Sequence, residues 1–137
     1  MESTKNVCSR QGIRIVISTI ILFLSFSSHA QLVINEVLVK NGGIYCDEDG
    51  DCPAILEIFN TSNTIVGLQN YYISDDLLEL SKWRLPFIDL NGQDRAIIFL
   101  SNKDRSTPFI HADFRLVEGE NVYLSVINGP TLNLVDS

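Results

Sequence analysis

From Gln31 onward the chain is divided into short apolar runs by turn residues, and this punctuation limits the fold more than any other feature. The runs are Leu32–Val39, Ile55–Asn60, Tyr71–Ser74, Lys82–Leu85, Arg95–Leu100, Ala112–Leu116, Val122–Ile127 and Thr131–Val135. All are of strand length and rich in Val, Ile, Leu, Phe and Tyr. Between them stand Asn41-Gly42-Gly43, Asn91-Gly92, Glu118-Gly119 and Asn128-Gly129-Pro130, where Asn and Gly reach positive φ at low cost. Val122, Leu124 and Val126 alternate with polar neighbours, as do Leu132 and Leu134. Arg95–Leu100 is apolar on both parities from Ala96 onward, which predicts a central strand covered on both faces. Ser74–Trp83 alone has helical potential: Ser74 as a cap, then Asp75 and Asp76, then Leu77, Leu78 and Leu80. No apolar stripe continues it, so it reads as a loop with at most one helical turn. Eight such runs fit an all-β, two-sheet sandwich better than an open sheet.

Residues 1–30 have the organisation of a cleavable signal peptide. Lys5, Arg10 and Arg14 outweigh Glu2, an apolar run from Ile15 to Phe26 follows, and Ser27-Ser28-His29-Ala30 supplies small residues before a cut at Ala30-Gln31. The apolar run is shorter than the roughly 20 residues that span a bilayer. The expectation is a secreted, cell-surface or periplasmic protein whose mature part is a single domain, 31–137.

The whole chain carries 10 basic and 17 acidic residues. Removing Lys5, Arg10, Arg14 and Glu2 leaves 7 against 16, a net charge of -9 on the mature part. No basic surplus exists to release counterions from a phosphate backbone, which argues against a nucleic-acid partner. Two cysteines remain, Cys46 and Cys52, and in an oxidising compartment a pair this close is read as one disulfide.

Between those cysteines lies Asp47-Glu48-Asp49-Gly50-Asp51, four carboxylates within five residues. Like charges this close repel, and a hard divalent cation would relieve the repulsion by taking several oxygens at once. Asp47, Asp49 and Asp51 are therefore candidate calcium ligands, with Glu36 and Glu57 on neighbouring strands as further donors. The spacing is not that of an EF-hand, and a solvated acidic turn is the plainer reading. Catalysis finds little support. His111 is the one histidine after Ala30, no Gly-x-Ser-x-Gly elbow is present, and the cysteines are better spent on each other. Cys46, Cys52 and His111 make poor zinc ligands, having atypical spacing and no fourth member. His111 reads as a structural residue. Tyr71, Tyr72, Trp83 and Phe87 could form a binding platform, but packing in the core and at its rim is the favoured role, Trp83 above all.

Several segments, in order, resemble the lamin tail domain, an immunoglobulin-like β-sandwich found at the end of nuclear lamins and in many exported bacterial proteins. They are Leu32-Val33-Ile34-Asn35-Glu36-Val37, the acidic loop, Leu56-Glu57-Ile58-Phe59-Asn60, Tyr72-Ile73-Ser74-Asp75-Asp76 and Lys82-Trp83-Arg84-Leu85-Pro86. Ser101-Asn102-Lys103-Asp104-Arg105, His111-Ala112-Asp113-Phe114-Arg115-Leu116 and Gly119-Glu120-Asn121-Val122-Tyr123-Leu124 continue the likeness. Ile55 stands where the family carries Trp, Ala54 where it carries Asp, and the two cysteines are additions. The family also runs past Leu134-Val135-Asp136-Ser137 into a last strand, so the resemblance implies a missing strand and an open, association-prone edge at Thr131–Val135. Asn60-Thr61-Ser62 is formally a glycosylation sequon, but the family's Asn at this position closes the strand, and that role is preferred. The resemblance implies a non-catalytic binding or tethering module with a protein or surface partner. The alternatives are an N-terminal accessory domain or fragment of a larger secreted hydrolase or coat-kinase-like protein, and a calcium-stabilised structural domain.

Overall fold

A computed structural model describes residues 31–137; the signal-peptide expectation lies outside the described residues. Among the described residues, ten strands form three sheets, and helix is confined to one 3₁₀ turn, Leu68–Asn70. The strands are β1 (Leu32–Leu38), β2 (Ala54–Asn60), β3 (Val66–Gly67), β4 (Tyr71–Ser74) and β5 (Trp83–Arg84). β6 (Asp89–Leu90), β7 (Arg95–Leu100), β8 (Ile110–His111), β9 (Tyr123–Asn128) and β10 (Thr131–Asp136) complete the set. One sheet has the order β1-β2-β7-β8, a second β10-β9-β4-β5, and β3 pairs with β6 alone. The fold is all-β with several sheets, an arrangement consistent with a sandwich. No helix among the described residues is long and apolar enough to cross a membrane.

One apolar cluster draws on both large sheets. Leu32, Leu56, Ile58, Ile98 and Leu100 come from the first, and Tyr71, Ile73, Trp83 and Leu124 from the second. Alternation explains the choice: Leu56 and Ile58 turn inward on β2 while Glu57 and Phe59, the residues that follow each of them, take the other face. Trp83 is core, as expected, and its indole N–H donates to Asp104 Oδ1 at 2.9 Å. Tyr71 is buried with it, whereas Phe87 is 82% exposed, so the four aromatics form no common platform.

Two expectations need revision. Ala112–Leu116 is not a strand; the ladder is the parallel pair of β7 with Ile110–His111, and only an isolated bridge joins Ser101 to Arg115. Ala112, Phe114 and Leu116 are nonetheless buried and Asp113 and Arg115 exposed, so the period of two belongs to a segment that bends at Asp113 and Phe114 and is held on the core by backbone hydrogen bonds to Phe99, Asn102 and Lys103 rather than by a regular ladder. β7 is covered on both faces only in its second half, because Ile97 remains 37% exposed. The stretch after Ser74 is a loop, as expected, with turns and no helix: Ser74 Oγ accepts from Asp76 N–H at 2.9 Å, and Asp76 Oδ1 from Leu78 N–H at 2.8 Å.

Candidate functional site

The acidic loop connects β1 to β2, and its own polar groups build it. Asn41 is buried at its entrance, accepting from Tyr45 N–H at 2.7 Å and donating to the carbonyls of Tyr45 and of Pro53, the latter at 2.8 Å. One amide thus ties the start of the loop to its end. Cys46 and Cys52 are disulfide-bonded, with Cα atoms 4.1 Å apart. Inside this ring Asp47 turns inward, and its Oδ1 accepts the N–H groups of Asp49 and Asp51, each at 3.0 Å. Gly50 supplies the positive φ of 83° that lets the chain return, and Asp47 N–H donates to Asp51 O at 2.7 Å.

The loop's charge is answered from the segment after β7. Lys103 Nζ lies 2.5 Å from Asp47 Oδ2, 2.7 Å from Asp49 Oδ2 and 2.9 Å from Asp51 Oδ2. Arg105 pairs with Glu48 Oε1 at 2.7 Å and with Asp49. Burial works against the ionised Asp47, but the Lys103 hydrogen bond and the two backbone N–H groups outweigh it and hold its pKa below the usual carboxylate range. Hydrogen bonds from Lys103 and Arg105 lower Asp49 likewise. Lys103 is also disfavoured by burial, yet its three carboxylate partners keep its pKa above that of an ordinary lysine.

Beneath the ion pairs lies a fully buried imidazole. His111 Nδ1 is 2.8 Å from Ser101 Oγ, and Nε2 is 3.1 Å from Glu48 Oε2. Because an ionised Glu48 can only accept, the fitting tautomer carries its proton on Nε2, and the Ser101 hydroxyl donates to Nδ1. The ring stacks on Phe99 with centroids 5.2 Å apart. Ser, His and Glu in this order are the parts of a nucleophilic relay, brought together from positions 101, 111 and 48. Their surroundings do not suit one. Ser101 is 2% and His111 0% exposed, and the amides after the serine are occupied, Asn102 N–H by Phe114 O and Lys103 N–H by Ala112 O. Donors already bound to carbonyls cannot receive a developing oxyanion. A cleft of about 290 Å³ reaches this region, lined among others by Asp51, Cys52, Ser101, Lys103 and Arg115.

The expected calcium ligands divide into two places. Asp47, Asp49 and Asp51 converge, with one oxygen of each within 4.8 Å of the others. Glu36 and Glu57 sit opposite each other on β1 and β2, and neither belongs to a clustered ligand group among the described residues. Glu57 pairs with Arg95 at 3.2 Å and accepts from Asn35 Nδ2 at 2.6 Å. The point where the three aspartates converge holds an ammonium group. Sequence reasoning found the carboxylates and missed Lys103 and Arg105, whose alternation in Lys103-Asp104-Arg105 was the available sign. Asn60, the sequon residue, is fully buried: its Nδ2 donates to Thr64 O at 2.8 Å, Leu90 O at 3.1 Å and Asn91 O at 3.0 Å.

No protein-family model matches the chain, and a comparison with curated proteins finds no match.

Proposed function

We propose that the chain is an exported, non-catalytic binding or tethering module, an immunoglobulin-like β-sandwich of the lamin tail type, that engages a protein or surface partner outside the cell. The observation that carries this reading is the closed state of Ser101, His111 and Glu48. The one described imidazole is buried with both nitrogens engaged, and the amides beside Ser101 are spent on backbone carbonyls. Polar groups satisfied in this way fix a loop rather than turn over a substrate. What the loop offers outward is shape and charge. The Asp49 and Asp51 side chains are 46% and 66% exposed, on a ring held by a disulfide and by ion pairs. A surface fixed before contact loses little freedom on binding.

Two measurements test the reading together. Purified protein added to cells lacking it should rebind saturably to their surface, and a serine-reactive fluorophosphonate should leave the folded protein unlabelled. Absence of saturable rebinding, or stoichiometric labelling of Ser101, would overturn it.

A second reading, calcium stabilisation, has the convergence of Asp47, Asp49 and Asp51 in its favour. It requires the Lys103 ammonium to give way to the ion, since both claim the same oxygens.

A further inference from the structure

We propose that β10 is an interface through which two copies of this chain pair edge to edge, forming a twofold dimer. Among the described residues β10 borders its sheet and pairs with β9 alone. Gly129, with φ of 61°, and Pro130 form a two-residue turn between Asn128 and Thr131. In such a hairpin the residues flanking the turn bond to each other, so the next N–H and C=O groups, those of Leu132 and then Leu134, turn to the open side.

Proteins blunt such edges with Lys, Pro or inward-pointing charge, and Thr131–Val135 has none of these. The far end is closed differently. A bulge falls between Leu134 and Asp136, and Asp136 Oδ2 accepts the N–H of Ile34 on β1 at 2.9 Å. The open stretch is therefore Thr131 to Leu134. In a chain with 17 acidic and 10 basic residues two copies repel over most of their surface, and this strip is uncharged.

The strip is also complementary to itself. An antiparallel pairing with its twofold axis at Asn133 sets Leu132 against Leu134 of the second copy and brings the two Asn133 amides together, each able to donate and accept. Leu132 and Leu134 lie opposite Ile127 and Ser125, on the outer face that also carries Tyr72. Leu134 is 46% and Ile127 42% exposed. A groove of about 230 Å³ opens beside them, lined by Tyr72, Ser81, Ile127, Pro130, Thr131 and Leu132. The same pairing that satisfies the backbone places Leu134 of the second copy next to Leu132, at the rim of this groove. Symmetry repeats the contact, so the occupant the edge suits is another copy.

Sedimentation equilibrium of the purified protein tests the proposal. A concentration-dependent monomer–dimer equilibrium is expected. Leu134→Lys, at an exposed position, should weaken it at least tenfold without lowering the melting temperature of the monomer. As a second probe, Asn133→Cys should form a covalent dimer on air oxidation, while Asn128→Cys on β9 should not. Three outcomes would each overturn the proposal: a monomer at every concentration, as when a foreign strand or further residues of the chain cover the edge; open-ended polymers; or a dimer indifferent to Leu134→Lys that fails to cross-link through position 133.

Discussion

Lys103 and Asp47 stand 56 residues apart in sequence, and the Lys103 ammonium lies 2.5 Å from a carboxylate oxygen whose side chain is fully buried. Because Lys103 also reaches Asp49 and Asp51, it serves as a shared counter-ion of the three aspartates, while Glu48 pairs with Arg105. Replacing it leaves Asp47 and Asp51 without this cation and Asp49 with Arg105 alone. Lys103→Met should lower the melting temperature more than Lys40→Met, since Lys40 makes only an exposed pair with Glu118. Millimolar calcium should recover part of the loss in Lys103→Met and shift the unaltered protein less, since there it must displace the ammonium. Thermal melts of both proteins in calcium and in chelator check this; equal calcium shifts would show that Lys103 and the ion do not compete.

The same contacts set the pH dependence. Asp47 and Asp49 have lower pKa values folded than unfolded, so on acidification the unfolded chain takes up protons first. Their contribution is complete above the unfolded value of about 3.9 and is lost as pH falls through the folded values. Lys103 has the opposite sign. Its raised pKa gives a contribution complete below about 10.4 and lost only as pH rises through the folded value. Stability from this cluster should therefore be flat through neutrality and fall off in acid. Asp49→Asn should make the acid slope shallower in urea titrations at stepped pH. An unchanged slope would mean that Asp49 carries no part of it.

The disulfide closes a ring whose ends are held twice over. Reduction frees the cysteines, but Asn41 still ties Tyr45 to Pro53, and Lys103 still gathers the aspartates. For a ring with a sequence separation of 6 the chain-entropy estimate is about 2 kcal/mol. The measured loss in Cys46→Ser/Cys52→Ser should stay at or below about 2 kcal/mol, with cooperative unfolding kept. Denaturant melts decide; a larger loss would make the covalent bond, not the ion pairs, the main restraint on the loop.

How much of this was legible in the sequence depended on range. Cys46–Cys52 and the alternation in Leu56-Glu57-Ile58 are local patterns, and the structure reproduces both. Two-residue ladders such as β3 with β6 leave no periodicity to read, and both strands were missed. The buried alternation of Ala112, Phe114 and Leu116 imitates a strand because the core selects apolar residues whether or not a ladder forms. At the site, the acidic residues are contiguous and were found together. Their cations come from beyond β7, and nothing in the spacing of Lys103, Arg105 or His111 states which loop they face. Glu36 and Glu57 were rightly placed on neighbouring strands, but being adjacent to each other did not bring them to the aspartates.

Asn60 shows how a residue with a formal modification motif is committed elsewhere. At 0% exposure it donates to three carbonyls, those of Thr64, Leu90 and Asn91, and its Oδ1 accepts from Ser62 N–H at 3.0 Å and Ser62 Oγ at 2.8 Å. It thereby joins the end of β2 to the turn after it and to the end of β6. A glycan cannot be carried on an amide that is spent in this way. Asn60→Ala strips partners from several groups at once, and unsatisfied buried groups cost about 1–3 kcal/mol each, so with partial access of water a loss of about 3 kcal/mol is expected. Asn60→Asp should cost at least as much, because it sets a carboxylate against three carbonyl oxygens. Asn128→Ala, at an exposed position, should change stability by less than about 0.5 kcal/mol. Urea unfolding at neutral pH measures all three, and an unchanged denaturant slope would assign the losses to the folded state. An Asn60→Ala loss below about 1 kcal/mol would show that water replaces the amide and that this junction does not depend on it.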